Sequence, residues 1–157
     1  MDNDEGGATD NDLMLAACRN DQDEMLEEVL KEGDFDINYT DGIGDTPCHY
    51  AAKFGALNCL EILVRVPGID LNKKNNREGN TPLHFAVQYE DDPEIALDVV
   101  DLLLNSGADP RMKNNAGSTV RDYVPGGNDD MKDLIDQALA GYTMGVSDDD
   151  DEFDYEE

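Results

Sequence analysis

The chain has 157 residues, 38 of them acidic against 11 basic, for a formal net charge of −27. That balance excludes a nucleic-acid binder, which needs a basic footprint, and repels anionic membranes. The favoured partner is a basic protein drawn in by long-range steering. Aromatics are 6% and tryptophan is absent, so one domain with an aliphatic core is expected.

Residues 1–12 carry five acids and no base, starting Met1-Asp2-Asn3-Asp4-Glu5. With neither a basic n-region nor an apolar h-region, this is no signal or transit peptide, and residues 1–11 are expected to be an acidic disordered segment. No apolar run approaches membrane-spanning length. The expected compartment is the cytosol, with entry into the nucleus open to a chain this small. Cys18, Cys48 and Cys59 form no CxxC and sit among apolar residues at helical spacing, so they are expected to be buried reduced thiols, which fits a reducing compartment.

Leu13 to Cys18, and then Met25, Leu26, Val29 and Leu30, have the spacing of two short amphipathic helices. Gly33, Asp36-Ile37-Asn38 and Asp41 follow, and Asp41-Gly42-Ile43-Gly44 has turn chemistry. Two matching stretches come next, Gly44-Asp45-Thr46-Pro47-Cys48-His49-Tyr50-Ala51-Ala52-Lys53-Phe54-Gly55 and Gly79-Asn80-Thr81-Pro82-Leu83-His84-Phe85-Ala86-Val87. Thr46 and Thr81 suit a helix N-cap, whose hydroxyl accepts an orphan backbone N–H. Pro47 and Pro82 then stand at the first helical position, where no N–H is needed. Cys48 and Leu83 should face the core, and Gly55 and Gly107 suit helix ends that want positive φ. Leu57, Leu60, Leu63 and Val64, and later Val99 to Leu104, give the buried stripe of a second helix in each unit.

The tetrads Thr46-Pro47-Cys48-His49 and Thr81-Pro82-Leu83-His84 resemble the Thr-Pro-Leu-His signature of ankyrin repeats, whose period is 33 residues. Thr46 to Thr81 is 35 positions and Thr81 to Thr119 is 38. The excess is expected in loops, around Pro67 and Lys73–Arg77 and at Glu90–Glu94. At the far end Thr119 keeps the turn, but Val120-Arg121-Asp122 replaces Pro-Leu-His, Pro125 should end that helix early, and Met131 to Leu139 form a last amphipathic helix. The expected fold is therefore an all-α ankyrin solenoid of about four helix-turn-helix repeats with short fingers. Its units are residues 12–40 (a degenerate cap), 41–75, 76–114 and 115–140 (a second cap), within a domain of 12–140. Residues 141–157, with eight acids and no base, are expected to be an acidic disordered tail. Ser147 ahead of Asp148-Asp149-Asp150 resembles an acidophilic kinase site.

What the resemblance implies for function is a protein-binding module, not an enzyme, monomeric when free. No phosphate-binding, zinc-protease or nucleophile-elbow motif occurs, no cofactor or metal is expected, and His49 and His84 read as inter-repeat hydrogen-bonding groups. By analogy with ankyrin proteins, the partner is expected along the fingers and first helices, at Tyr39, Asp41, Ile43, Asp45, Tyr50, Lys53, Arg77, Glu78, Gln88 and Tyr89. Phe54, Asn80 and Phe85 border them, the two phenylalanines being equally suited to fill the core. Lys73, Lys74 and Arg77 form one basic cluster. The layout is similar to small acidic fungal ankyrin proteins, among them a chaperone of a ribosomal protein. An escort for a basic client, such as a ribosomal protein or histone, is therefore one reading. A generic adaptor for a partner of no particular charge is the other.

Overall fold

A computed structural model describes residues 9–143. The tail acids and Ser147 lie outside the described residues. Seven α-helices and one 3-10 turn follow one another, with no strand among the described residues: α1 Asp10–Asn20, α2 Asp23–Glu32, α3 Pro47–Lys53, α4 Leu57–Leu63, α5 Pro82–Val87, α6 Pro93–Asn105, the 3-10 turn Val120–Tyr123, and α7 Asp129–Thr143. They form four antiparallel pairs. The first members, α1, α3, α5 and the 3-10 turn, stack on one another. The second members, α2, α4, α6 and α7, form the outer layer. Among the described residues no helix is long and apolar enough to cross a membrane.

One local device starts every pair. Thr9, Thr46, Thr81 and Thr119 are all extended, with ψ of 169°, 171°, 167° and 173°. Each forms a capping box with the residue three positions on: Asp12, His49, His84 and Asp122. The hydroxyl and the N3 side chain each satisfy a backbone N–H that the first helical turn leaves without a partner. The frame thus begins at Thr9, not at residue 12. Residues 9–11 were expected in the disordered segment, yet Thr9 caps α1 and Asp10 opens it. Asp10 and Asn11 are held because their side chains accept the Asp34 and Asp36 N–H groups, each at 2.8 Å. At the other end α7 runs three residues past the expected boundary at 140.

The core is a continuous aliphatic seam running the length of the stack. Met14, Cys18 and Leu26 belong to the first pair, Cys48, Leu60 and Leu63 to the second, Leu83, Val99, Val100 and Leu103 to the third, and Val120, Met131 and Ile135 to the last. All three cysteines are free and buried in it. Burial pushes the Cys48 thiol up to about 12. The Cys18 thiol is raised by its neighbour Cys59 and by burial. The excess at Glu90–Glu94 is only partly a loop. Asp92 caps α6 by accepting the Glu94 and Ile95 N–H groups, and Pro93 takes the first helical position. Glu94 therefore lies in the first turn, and α6 has 13 residues against seven in α4. The extra residues add a helical turn because Asp-Pro is a better start than the uncapped Ala56 of α4.

Candidate partner-binding groove

The fingers that precede each first helix are built on one Asx side chain apiece. Asp41 Oδ1 accepts the Ile43 and Asp45 N–H groups, both at 3.0 Å. Asn75 Oδ1 accepts those of Glu78 (3.2 Å) and Asn80 (3.0 Å), and Asn114 Oδ1 those of Ala116 and Ser118 (both 3.0 Å). Successive fingers are then tied together. Asn76 N–H donates to the Ile43 carbonyl at 3.0 Å and Asn115 N–H to the Glu78 carbonyl at 2.8 Å. Gly44 is in the left-handed region, with φ of 85°, and a Cβ there would lie 2.5 Å from the Asn76 nitrogen. The close approach of two fingers therefore requires glycine.

Beneath the fingers, the two histidines bridge pairs. His49 Nδ1 accepts the Thr46 N–H at 3.1 Å, which leaves the proton on Nε2 to donate to the Asn80 carbonyl at 2.9 Å. His84 repeats this with Thr81 N–H (3.1 Å) and the Ser118 carbonyl (3.1 Å). Both rings are fully buried. Burial holds both histidines below the ordinary imidazole range, against the opposing pull of their carbonyl partners. The outer pairs carry Asp12 and Asp122 at this position. Each closes its own box, and Asp12 also accepts a long 3.5 Å bond from the Tyr39 hydroxyl.

The first helices and fingers together line a groove of about 510 Å³, whose walls include Lys53, Arg77, Glu78, Phe85, Gln88 and Tyr89. Five of those were expected as contacts from the sequence, and Phe85 was equally suited to the core. Asn114, Asn115, Ala116 and Tyr123 also line it and were not expected. Tyr123 stands four residues after Thr119, as Tyr50 and Phe85 stand four after Thr46 and Thr81, so the capping frame was the signal that finds it. Tyr50 borders a neighbouring depression with Asp12 and Arg19.

Other expected contact residues are placed differently. Asp45 is 2% exposed, because Asn75 Nδ2 donates to its Oδ1 at 2.9 Å across two fingers; it serves the stack and is closed to a partner. Asn80 borders the groove but is buried, its side-chain oxygen accepting from Asn114 Nδ2 at 2.9 Å. Asp41 is half-buried and accepts a hydrogen bond from the Tyr50 hydroxyl. Burial raises its pKa, but that bond and the finger N–H groups more than offset this and leave it below the usual carboxylate range. Tyr39 turns its hydroxyl to Asp12 at 3.5 Å, away from the groove. Ile43 is exposed at a fingertip.

Neither phenylalanine is a plain core filler. Phe54 is 39% exposed and stacks on Tyr50, with centroids 6.2 Å apart and planes at 9°. Phe85 is half-buried and meets the His49 ring edge-on at 5.8 Å. Among the described residues no group of three or more His, Cys, Asp and Glu side chains is placed to hold a metal ion.

The pattern of ankyrin repeats matches in three copies over residues 13–114. An ankyrin repeat-containing protein of Saccharomyces cerevisiae is 32% identical over 154 residues, which cover 92% of this chain and 83% of the yeast protein. A putative ankyrin repeat protein of fowlpox virus is 34% identical over 111 residues, covering 69% of this chain and 30% of the viral protein. An E3 ubiquitin-protein ligase of Caenorhabditis elegans is 28% identical over 126 residues, covering 80% of this chain but 4% of the ligase. The chain thus spans most of the yeast relative and a small part of the other two.

Proposed function

The chain belongs to the ankyrin-repeat family, an interaction fold, and from that premise we propose that it escorts a basic protein client. The observation that carries this reading is the charge: 38 acids against 11 bases in 157 residues. Stacking the helix pairs uses only a few of those acids, at Asp10, Asp12, Asp41, Asp45, Asp92 and Asp122, and the seam itself is aliphatic. In this reading the acids of residues 141–157 and of the exposed outer helices screen lysine and arginine clusters on the client. The groove between Lys53 and Tyr123 gives the contact its shape. A ribosomal protein or a histone has the required character. The function is binding, without catalysis, in a cytosolic protein open to the nucleus.

The test is affinity purification on the full chain, with captured proteins identified by mass spectrometry at roughly 0.05 M and 0.5 M salt. The Debye length falls from about 14 to about 4 Å between them. The expected partners are basic and are lost at the higher salt. Binding should weaken when Asp148, Asp149, Asp150, Asp151 and Glu152 are replaced by their amides. Partners of no particular charge, retained at high salt by both forms, would instead establish the generic adaptor.

A further inference from the structure

An aromatic strip at the edge of the groove, Phe85 in its wall and Phe54 next to Lys53, is already occupied by cations, and they are the protein's own. The Lys53 ammonium lies 5.8 Å from the centroid of Phe54 and 5.5 Å from that of Phe85. The Arg19 guanidinium carbon lies 5.5 Å from the Phe54 centroid as well. All are within the range at which a ring quadrupole attracts a cation. Both cationic side chains are exposed, so each is held there by little else. The surroundings are acidic: Glu78 lines the groove, Asp12 the adjoining depression, Asp41 bonds Tyr50, and Glu90, Asp91 and Asp92 follow Tyr89 directly.

We propose that Lys53 and Arg19 are stand-ins on this strip, and that its proper occupant is an arginine-bearing segment of the partner whose guanidinium groups displace them from Phe54 and Phe85. Two features favour arginine over lysine. A guanidinium is planar and more weakly hydrated than an ammonium, so it stacks on a ring at lower desolvation cost. Its several N–H donors also suit a rim of carboxylates that are bound to accept. Displacement of a like charge makes the exchange conservative: the strip keeps a cation on each ring, and the released Lys53 is free to reach Glu78 or solvent. This inference rests on the reading of a basic client and adds where one of its arginines sits.

The test is a fluorescence-anisotropy titration of the full chain with a short arginine-bearing peptide and with its citrulline counterpart, which is nearly isosteric and uncharged. The arginine peptide should bind more tightly. Lys53→Ala, which leaves Phe85 without a cation and Arg19 alone on Phe54, should tighten it by about three-fold, and Phe54→Leu, which keeps the bulk but removes the ring, should weaken it by about three-fold. Arg65→Ala is the control for net charge, because Arg65 is exposed beyond α4 and away from the groove; it should tighten binding less than Lys53→Ala. Thermal melts confirm that these exposed substitutions leave the fold intact. If the two cation deletions act alike and Phe54→Leu does nothing, the peptide is held by bulk charge: the strip is not its site, and the basic-client reading stands without it. If Lys53→Ala weakens binding, the groove takes an anion, which overturns the proposal. If the arginine peptide fails to bind at low salt, both readings fall together.

Discussion

His49→Ala separates a structural histidine from a chemical one, and the coordinates set the size of the effect. The ring makes two bonds that alanine cannot replace, from the Thr46 N–H at 3.1 Å and to the Asn80 carbonyl at 2.9 Å. Thr46 and Asn80 are 1% and 5% exposed, so water cannot substitute without opening the stack. Each stranded group costs about 1–3 kcal/mol, and the cavity adds to that. Alanine's better helix propensity returns less than about 1 kcal/mol. The expected loss is about 3–5 kcal/mol. His84→Ala should cost less, because its carbonyl partner Ser118 is half-buried and water can replace the ring. Urea unfolding followed by circular dichroism measures both. Because His49 joins the second pair to the third, its loss should also broaden the transition as the stack divides into two cooperative units. An unchanged midpoint for His49→Ala would refute the bridge as a source of stability. An unchanged midpoint together with a lost activity would point to chemistry at that ring.

Other outcomes follow from the same geometry. Burial depresses both histidines, so the folded chain resists protons that the unfolded chain accepts below about 6.5. Their contribution is complete above that pH and is lost as pH falls toward the folded-state values, by at most about 2.7 kcal/mol per pH unit for the two together; urea midpoints from pH 7.5 to 5 read the slope. Gly79→Ala should cost about 1–3 kcal/mol, since φ is 72° and the new Cβ would lie 2.4 Å from Asn115 Oδ1. Asp92→Ala removes the cap of α6 and should cost about 1 kcal/mol. The buried thiols of Cys18, Cys48 and Cys59 should resist maleimide in the native protein and react together on unfolding.

How much of this was legible in the sequence depends on whether a residue acts through its own turn or across turns. The caps at Thr46 and Thr81, the proline starts and the apolar stripes are local, and local spacing reveals them. Thr9 is just as local, but it was hidden because the acids around it read as solvated tail, whereas Asp12 closes the capping box and Asp10 holds the Asp34 N–H. Asp45 was misjudged for a different reason. A carboxylate on a projecting finger looks exposed in one dimension, and only the neighbouring finger, 30 residues on, supplies the Asn75 amide that buries it. Asn80 is likewise engaged by Asn114 of the next finger, and Tyr39 by Asp12 of α1. The groove itself was partly legible: Lys53, Arg77, Glu78, Gln88 and Tyr89 line it, whereas Tyr39, Asp41, Ile43, Asp45 and Tyr50 do not, and the residues of the last finger were missed because its signature is degraded while its backbone is not.

The charge that distinguishes this stack should also weaken it, in a way salt can reveal. Residues 9–143 hold 27 acids and 11 bases. The ion pairs among the described residues are Arg111–Asp109 at 3.0 Å, Arg121–Asp136 at 2.8 Å and Lys132–Asp136 at 3.3 Å, all with substantially exposed cations. Exposed pairs of this kind contribute about 0–1 kcal/mol each, so most of the acids face like charges without compensation. Raising salt from roughly 0.05 to 0.5 M screens exposed charges over all but the nearest separations and should therefore raise the thermal midpoint, because repulsion is relieved more than attraction is lost. A basic peptide should do the same at low salt, and its effect should vanish at high salt. A midpoint that falls with salt would mean that the few pairs outweigh the many repulsions, and that the acidic surface is balanced in place and does not await a partner.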